Sequence, residues 1–518
     1  MRVRDWFLSN DERGNPSSRI DDRHRDGVAW SGGNEVRPLV HGATYFSELL
    51  VTLDQLRAGD LLLFTEWRSD PDERLDGPET EVVRVLCAAA ERGVVVKGLV
   101  WRSHLGRLNF SSWQNRRLGQ EVETAGGECL LDTRVRLGGS HHQKLVVLRH
   151  PGRPELDIAY VGGIDLCRGR RDDARHGGDD QAQPLSEAYG RRPPWHDVQL
   201  AIQGPAVGDV EAVFRERWND PTPLSRNPVH RLRDLLQRTD TRANRLPAQL
   251  PDPKPCGTQA VQLLRTYPYR HQGYPFAPTG ERSVARGYAK ALRCARSLIY
   301  IEDQYLWSEE VAQVFAEALV TQPQLHLIGV LPLYPDQDGL SGAAQLLGRQ
   351  RALSVLHRAG GARVAVYGVE NHAGTPVYVH AKVCIVDDRW TCVGSDNLNL
   401  RSWTHDSELC CAVVDEDVGA NFGATLRLEL CREHLDRAEG EDDDLRDTAA
   451  TFAAFRDSAD ELEAWYAGHG TGPRPPGRLR RHLPPAMSTF ARLCAPTLYR
   501  VVCDRDGRPP ALRRDQAF

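Results

Sequence analysis

Two segments of this 518-residue chain pair a histidine with a lysine two positions later, at the head of an apolar run. The first is SHHQKLVVL, with His142 and Lys144, and the second is VHAKVCIVD, with His380 and Lys382. In a β-strand, residues i and i+2 project to the same face, so each histidine projects together with its lysine. With 18 histidines and five lysines in the chain, about 0.17 such pairs are expected by chance. The duplicated pair therefore indicates a functional site.

These residue types suit cleavage of a phosphodiester without a metal. The reaction needs a nucleophile, an acid for the leaving oxygen, and cations around the phosphoryl oxygens. Two imidazoles can divide the first two tasks because each titrates near neutral pH, and two ammonium groups can supply the third. No cluster with zinc-ligand spacing accompanies the pairs, and no G-x-S-x-G segment offers a serine nucleophile. We therefore expect neither a metal nor a cofactor.

The lysines of the two pairs are unusual for this composition. The 66 basic residues comprise 61 arginines and only five lysines. Such a bias is typical of genomic base composition rather than of function. A lysine that persists at Lys144 or Lys382 is therefore predicted to be one that arginine cannot replace.

The elements around the pairs recur twice along the chain. Buried strands and helices alternate from about residue 44 to residue 135, and the same order returns after residue 280, which predicts βαβ units and a mostly parallel sheet. Aligning LLLF with LIYI gives an offset of 237 residues, and the two histidine–lysine pairs are 238 residues apart. We interpret the chain as two homologous halves joined through a Pro- and Arg-rich stretch in 219–280.

The bulk composition excludes several classes of protein. A net charge of −5 provides no basic field for binding nucleic acid. No secretory signal is recognised at the N-terminus, and no apolar run approaches the roughly 18 residues needed to cross a bilayer. The 12 cysteines form no C-x-x-C pair, which favours reduced thiols and a cytoplasmic location. A basic segment near residues 472–485 is interpreted as a surface tail, or alternatively as a contact with an anionic membrane.

The motifs resemble those of the phospholipase D superfamily. VHAKVCIVD with GSDNLNLRS is similar to the family's H-x-K-x4-D and G-S-x-N signature, and SHHQKLVVL with YVGGIDLC and PPWHDVQLAIQGPAV is similar to its first half. The resemblance implies an α/β fold of two homologous α/β/α sandwich domains with one active site at their interface. The corresponding boundaries are 1–38 for an N-terminal segment, 39–225 and 281–432 for the halves, 226–280 for a linker, and 433–518 for a C-terminal helix and tail.

The resemblance also implies roles for individual residues. His142 would be the nucleophile and His380 the general acid. Asp387 would be a support carboxylate counted among the catalytic residues. The orienting carboxylates of the two imidazoles would be Asp197 and Glu408, although a turn aspartate and an exposed strand charge are the alternative interpretations of these two residues. The residues at or beside the phosphate oxygens would be Lys144, Lys382, Asn397, Asp165, Ser395 and Gly163. Three nearby tryptophans are interpreted as core rather than as a headgroup pocket: Trp67, Trp195 and Trp403.

One position departs from the family pattern. Where the first half should carry an aspartate five residues after Lys144, it carries Arg149. We expect a carboxylate of the longer first hairpin, or of the facing half, to pair with Arg149 if its side chain is buried, because an unpaired buried guanidinium is costly.

The resemblance implies a phospholipase D that transfers the phosphatidyl group of a glycerophospholipid to water or an alcohol through a phosphohistidine. Its partner would be a phospholipid at a membrane surface, which the chain meets transiently and without a transmembrane segment. We expect a monomer, because both halves lie in one chain. The alternatives are a cardiolipin synthase-like phosphatidyltransferase, a nuclease of the same superfamily, and a non-catalytic relic.

Overall fold

The computed structural model describes residues 2–24, 27–103, 112–237, 239, 241–417, 419, 421–483, 487–515 and 517–518. Two short helices open the chain, α1 (Val3–Trp6) and α2 (Asn10–Arg13). Four of the strands that follow are buried along their whole length, as their apolar runs predict: Leu61–Glu66, Leu145–Arg149, Leu298–Asp303 and Lys382–Val386.

The first half contains eight strands and five helices among its described residues. Its strands are β1 (Ser31–Val40), β2 (Leu61–Glu66), β3 (Val95–Trp101), β4 (Glu128–Asp132), β5 (Leu145–Arg149), β6 (Ile158–Gly162), β7 (Trp195–His196) and β8 (Val198–Gln203). Its helices are α3 (Gly42–Asp54), α4 (Val82–Glu91), α5 (Ser112–Thr124), α6 (Ala206–Trp218) and α7 (Pro228–Gln237).

The second half repeats this plan and adds a C-terminal extension. Its strands are β9 (Gln259–Tyr267), β10 (Glu281–Arg282), β11 (Leu298–Asp303), β12 (His326–Val330), β13 (Val364–Val369), β14 (Tyr378–Val379), β15 (Lys382–Val386), β16 (Trp390–Gly394), β17 (Glu408–Asp415) and β18 (Leu479–Arg481). Its helices are α8 (Ser283–Cys294), α9 (Glu309–Thr321), α10 (Gly339–Gly360), α11 (Phe422–Leu435), α12 (Thr448–Ala467), α13 (Thr489–Leu498) and α14 (Pro510–Arg514).

The strand order is the same in both halves. The first half runs β1-β8-β6-β5-β2-β3-β4, the second runs β9-β17-β16-β15-β11-β12-β13, and β1 pairs with β9 to join them into one sheet. The histidine–lysine strands β5 and β15 therefore occupy equivalent central places. The expectation of two homologous halves is borne out by this equivalence.

The expectation of a mostly parallel sheet is wrong. Only β2-β3-β4 and β11-β12-β13 pair in parallel within the main sheet. The other strands pair antiparallel, including β5 with β6 and β15 with β16. The physical reason is the short connection within each of these two hairpins, because parallel neighbours need a crossover of a dozen residues or more.

The stretch expected to be a linker contains regular structure. The helix α7 and the strand β9 both lie within residues 226–280, and β9 pairs with β17 along eight residues from Gln259 to Thr266. The second half's sheet therefore begins about 20 residues before the expected boundary at 281.

Helices cover both faces of the sheet, which gives the α/β/α layering. Alternate residues of each strand enter different core clusters: Leu63 and Val383 face one side, while Phe64 and Cys384 face the other. One cluster packs α6, α11 and α12 against a face shared by both halves. The opposite face is covered by α3 and α4 in the first half and by α8, α9 and α10 in the second. Among the described helices, none combines the length and apolarity required to span a bilayer.

Candidate active site

Both histidine–lysine pairs lie at the entry of a hairpin and are fixed by the opposite half. The backbone N–H of His142 donates to the carbonyl of Ser407 at 2.9 Å, and the N–H of His380 donates to the carbonyl of His196 at 2.7 Å. The short strand β14 pairs in parallel with β7 in the same region. The two halves therefore hold each other's histidine segments by matching backbone contacts.

Each imidazole meets a carboxylate from the other half. His142 Nδ1 lies 2.9 Å from Glu408 Oε2, and His380 Nδ1 lies 2.6 Å from Asp197 Oδ2. Both carboxylates are almost fully buried. In each case the carboxylate directly follows the residue whose carbonyl accepts the histidine N–H, so the two contacts are related by the internal repeat. A carboxylate on Nδ1 fixes the ring so that Nε2 faces the pocket.

The buried surroundings favour the neutral imidazoles. Burial lowers the pKa of His142, and the nearby lysine ammonium groups lower it further. Burial and Lys382 lower the pKa of His380 in the same way. Burial, reinforced by the neighbouring Asp406 carboxylate, raises the pKa of Glu408 to about 8. The pair of His142 and Glu408 therefore binds and releases a proton close to neutral pH.

The two lysines are buried within the site. Lys144 Nζ lies 3.3 Å from Asp165 Oδ2 and donates to the carbonyl of His142 at 3.1 Å. Lys382 donates to Gln304 Oε1 at 3.2 Å and also to the carbonyl of His380. Burial lowers the pKa of Lys382 to about 8. Buried ammonium groups in this setting are positioned to receive a phosphoryl anion.

The two corners after the hairpins place Asp165 and Asn397 at equivalent positions. Asp165 Oδ1 accepts the N–H of Trp67 at 3.2 Å. Asn397 Oδ1 is buried and accepts no hydrogen bond from any described residue. Both side chains line the pocket that also contains His142 and His380. The amide oxygen of Asn397 is therefore free to accept a hydrogen bond from a ligand, whereas Asp165 also holds Lys144 in place.

Ser395 and Gly163 contact the orienting carboxylates. Ser395 Oγ donates to Glu408 Oε2 at 2.5 Å. A Cβ at Gly163 would lie 2.1 Å from Asp197 Oδ1, so a larger residue would displace that carboxylate. Both positions support the orientation of a histidine through its carboxylate.

Asp387 does not join the site. Its carboxylate lies at the far end of β15 from His380 and accepts the backbone N–H groups of Arg296, Ser297 and Leu298 at 2.7 to 2.9 Å. The catalytic assignment of Asp387 is therefore corrected to a structural one. His380 precedes β15 and Asp387 follows it, so the length of the strand separates the two side chains in space.

Arg149 occupies the equivalent position in the first half and is fully buried. Its Nε donates to Asp157 Oδ2 at 2.8 Å, and its other nitrogens contact Glu211 and the carbonyl of Pro251. Asp157 belongs to the longer first hairpin. The expectation that a buried Arg149 pairs with a carboxylate of this hairpin is borne out.

A pocket of about 660 Å³ opens onto both histidines. Trp67 and Trp195 line it, and the ring of Trp195 lies 4.9 Å from that of His380. Interpreting these two residues as core alone is therefore wrong. Trp403 is buried against Tyr288, away from the pocket, as expected of a core residue. A larger cleft, lined by Arg134 and by described residues between Trp218 and Arg245, contains neither pair.

Two residues that line the pocket were not predicted from the sequence. Arg170 stacks on Trp195 at 3.8 Å from the ring centroid. Gln304 connects Lys382 to the hydroxyl of Tyr378, to which it donates at 2.7 Å. Neither residue has a distinctive spacing relative to the histidine–lysine pairs. The usable signal for Gln304 was its place in IEDQYLW, directly after the strand aligned with LLLFTEW.

The C-terminal segment forms one wall of the pocket. Val501, Val502 and Arg505 all line it. The segment is held by the hydroxyl of Tyr499, which donates to the carbonyl of Trp307 at 2.8 Å, and by a hydrogen bond from Arg401 to the carbonyl of Val502 at 2.9 Å. Nothing in its composition distinguished this stretch from an ordinary surface tail.

Comparison with known proteins matches two family models to this part of the chain. Residues 120–318 match the model described as "Phospholipase D", and residues 292–427 match "Cardiolipin synthase, PLD-like domain". Together the matches extend over more than half of the chain and include both histidine–lysine pairs.

Curated relatives and one solved structure agree with these matches. Phospholipase D1 of Schizosaccharomyces pombe is 25% identical over 71% of this chain and 33% of its own length. Phospholipase D2 of Bos taurus is 25% identical over 83% of this chain and 56% of its own length. This chain thus spans between a third and somewhat over half of these relatives. Phosphatidylserine synthase of Haemophilus influenzae Rd KW20 shares the fold at a TM-score of 0.53 and 13% identity, over 84% of this chain and 94% of its own.

Proposed function

The chain belongs to the phospholipase D superfamily, and we propose that it is a phospholipase D acting on glycerophospholipids such as phosphatidylcholine. It would transfer the phosphatidyl group to water or to an alcohol through a phosphohistidine. The observation that carries the proposal is the crossed arrangement at one pocket, in which each histidine meets a buried carboxylate of the other half.

In the first step, His142 attacks phosphorus. Ionised Glu408 accepts the Nδ1–H of His142, which leaves the lone pair on Nε2 for the attack. The new N–P bond forms as the bond from phosphorus to the headgroup oxygen breaks. For this step His380 must enter as an imidazolium, with Asp197 on its Nδ1 side to stabilise the charge. It then gives its Nε2 proton to the departing oxygen, so the headgroup alcohol leaves neutral and His380 becomes neutral.

In the second step, a water or alcohol oxygen attacks the phosphohistidine. His380, now without its Nε2 proton, accepts the proton of the attacking hydroxyl, and the N–P bond breaks as the new O–P bond forms. Lys144, Lys382 and Asn397 would donate to the phosphoryl oxygens in both steps, where charge on these oxygens is greatest. Asp197 keeps the ring of His380 oriented throughout.

The rim of the pocket favours a substrate that is presented by a lipid surface. Val501 and Val502 have exposed fractions of 57% and 46%, and both line the pocket. Exposed apolar side chains around a polar site are typical of a lipid contact. We propose a cytoplasmic monomer that docks peripherally on membranes, and a net charge of −5 argues against nucleic acid as the substrate.

The test is a transfer assay on phosphatidylcholine vesicles with added ethanol. We expect both phosphatidic acid and phosphatidylethanol, and we expect neither product from His142→Ala. A folded wild-type enzyme that releases no choline from these vesicles, but hydrolyses an oligonucleotide, would contradict the proposal and favour the nuclease alternative.

A cardiolipin synthase-like phosphatidyltransferase is the second candidate. It is favoured by the match of residues 292–427 to a model with that description. The same phosphohistidine would then pass to the hydroxyl of a lipid acceptor. Phosphatidylglycerol vesicles without choline lipids separate the two candidates, because only the synthase would convert them efficiently to cardiolipin.

A further inference from the structure

Three buried histidines and one half-buried glutamate converge on one point beside the active site. They form what we call the histidine cluster, which consists of His41, His176, His196 and Glu433. One nitrogen or oxygen of each lies within 4.8 Å of those of all the others. None of the four lines the active-site pocket, so the cluster is separate from the proposed chemistry.

We propose that the histidine cluster binds one divalent transition-metal cation, zinc by preference, in a closed structural site. Imidazole nitrogens and a carboxylate oxygen are ligands that suit zinc. Four protein ligands leave no open position for water, as is typical of a structural rather than a catalytic zinc.

The outer nitrogens of two of the three histidines are arranged as they are around metal-bound histidines, whereas His41 Nδ1 has no partner among the described residues. His196 Nε2 lies 2.6 Å from Glu302 Oε2, and His176 Nδ1 lies 3.2 Å from the carbonyl of Trp195. A carbonyl oxygen only accepts, so the proton of His176 is on Nδ1. An outer carboxylate or carbonyl on the far nitrogen fixes the tautomer of a ligating histidine.

The histidine nitrogens that face Glu433 require a positive charge between themselves and its carboxylate. In the neutral tautomers set by those outer contacts, His176 Nε2 and His196 Nδ1 both direct a lone pair at Glu433 Oε1, at 2.9 Å and 3.3 Å. Lone pairs facing a carboxylate oxygen repel it unless a cation or added protons lie between them. The inner nitrogen of His196 is buried, and its only close contact among the described residues is the 3.3 Å approach to Glu433 Oε1, which does not meet hydrogen-bond geometry. This nitrogen is therefore available to a ligand.

The spacing of the inner atoms is close to that of a tetrahedral site. With ligand bonds of about 2.0 Å, neighbouring ligand atoms of a zinc site are about 3.3 Å apart. His41 Nε2 lies 2.6 Å from Glu433 Oε2, so this contact would open by somewhat under an ångström on binding. The other two carboxylate contacts need less adjustment.

The backbone conformation at two of the histidines also directs their side chains toward Glu433. His41 has φ 69° and His176 has φ 54°, although neither is glycine. Positive φ in such residues is costly and is retained where the surrounding structure requires it. Here the unusual backbone aims both rings at Glu433.

The position of the cluster gives the metal a specific role. Three ligands come from the first half and Glu433 comes from α11 of the second. His196 directly precedes Asp197, the carboxylate on His380, and its carbonyl accepts the N–H of His380. A bound metal would therefore clamp the halves together and fix this contact without touching substrate.

The experiment measures metal in the purified full-length protein by inductively coupled plasma mass spectrometry. We expect one zinc per wild-type chain, and the same in His150→Gln, which alters a buried histidine with a carboxylate partner outside the cluster. His41→Leu and Glu433→Gln are expected to lose most of the metal. Cobalt exchanged into the wild-type site should give the intense visible absorption of tetrahedral cobalt, and zinc returned to the apoprotein should raise its thermal midpoint.

Two results would overturn the proposal. One is wild-type protein that carries no transition metal, takes up neither zinc nor cobalt after equilibration, and shows no change in thermal midpoint. The cluster would then be a network of imidazolium and carboxylate groups held by protons alone. The other is metal that is retained equally in both ligand variants. If either variant fails to fold, the wild-type stoichiometry and the cobalt spectrum still decide the question.

Discussion

Replacing Arg149 with alanine should destabilise the protein while leaving the chemistry of the folded fraction intact. The guanidinium is fully buried and contacts Asp157, Glu211 and the carbonyl of Pro251. Removing one partner from a buried ionic network costs about 3–5 kcal/mol, because the remaining charges lose their compensation.

The lower end of that range applies here. Asp157 would keep the backbone N–H of His150 at 2.6 Å, and Glu211 would keep Arg215 at 2.6 Å. We therefore expect a loss of about 3 kcal/mol in the free energy of unfolding. For a transition with a urea m-value of about 3 kcal/mol/M, the midpoint would fall by about 1 M.

The assay is urea unfolding followed by tryptophan fluorescence, together with turnover normalised to the folded fraction. Arg117→Ala is the matched control, because its ion pair with Glu121 is 44% and 41% exposed and should contribute less than about 0.5 kcal/mol. An Arg149→Ala variant with an unchanged midpoint and turnover reduced tenfold or more would refute the structural role and make Arg149 a substrate ligand.

Three further predictions concern the site and its hairpins. Lys144→Arg and Lys382→Arg should each lose most activity without unfolding, because both side chains are buried and a guanidinium is wider than an ammonium group; near-wild-type rates would show that charge alone suffices. The pH profile of kcat/KM should rise through about 8, the raised pKa of Glu408, because a proton added to the pair with His142 removes the nucleophilic form wherever it binds; a profile that is flat from pH 6 to 9 would contradict this. Asp387→Ala should lower the unfolding free energy by about 1–3 kcal/mol, through unsatisfied backbone N–H groups, and leave kcat unchanged, whereas a collapse of kcat at unchanged stability would restore its catalytic assignment.

The sequence predicts those parts of the site whose geometry is local. The strand period of two predicts that His142 and Lys144 share a face, although β5 begins only at Leu145, after both residues. The repeat offset of the second pair predicts two equivalent halves. The contacts of these histidines with Glu408 and Asp197 span 266 and 183 residues. No spacing rule reaches that far, so these carboxylates could be predicted only from the family resemblance.

Other features could not be predicted because they depend on tertiary packing. The antiparallel pairing of β5 with β6 and of β15 with β16 follows from two short hairpin turns that can be located in the sequence. The alternation of strands and helices on either side nevertheless favoured the prediction of a parallel sheet. The histidine cluster combines residues from four distant places in the chain, none with metal-ligand spacing. The C-terminal wall of the pocket depends on Tyr499 reaching Trp307, a contact that composition does not encode.

The most direct test of the central claim is to trap the covalent intermediate and locate it. His380→Ala, given a phosphatidyl p-nitrophenyl ester, should complete the first step, because this leaving group needs no proton, and should then stall, because the second step lacks its base. Peptide mapping by mass spectrometry after an alkaline quench is predicted to find the phosphatidyl adduct on His142 and no adduct in His142→Ala. An adduct on His380 of the wild-type enzyme, or steady turnover by His142→Ala, would contradict the assignment of His142 as the nucleophile.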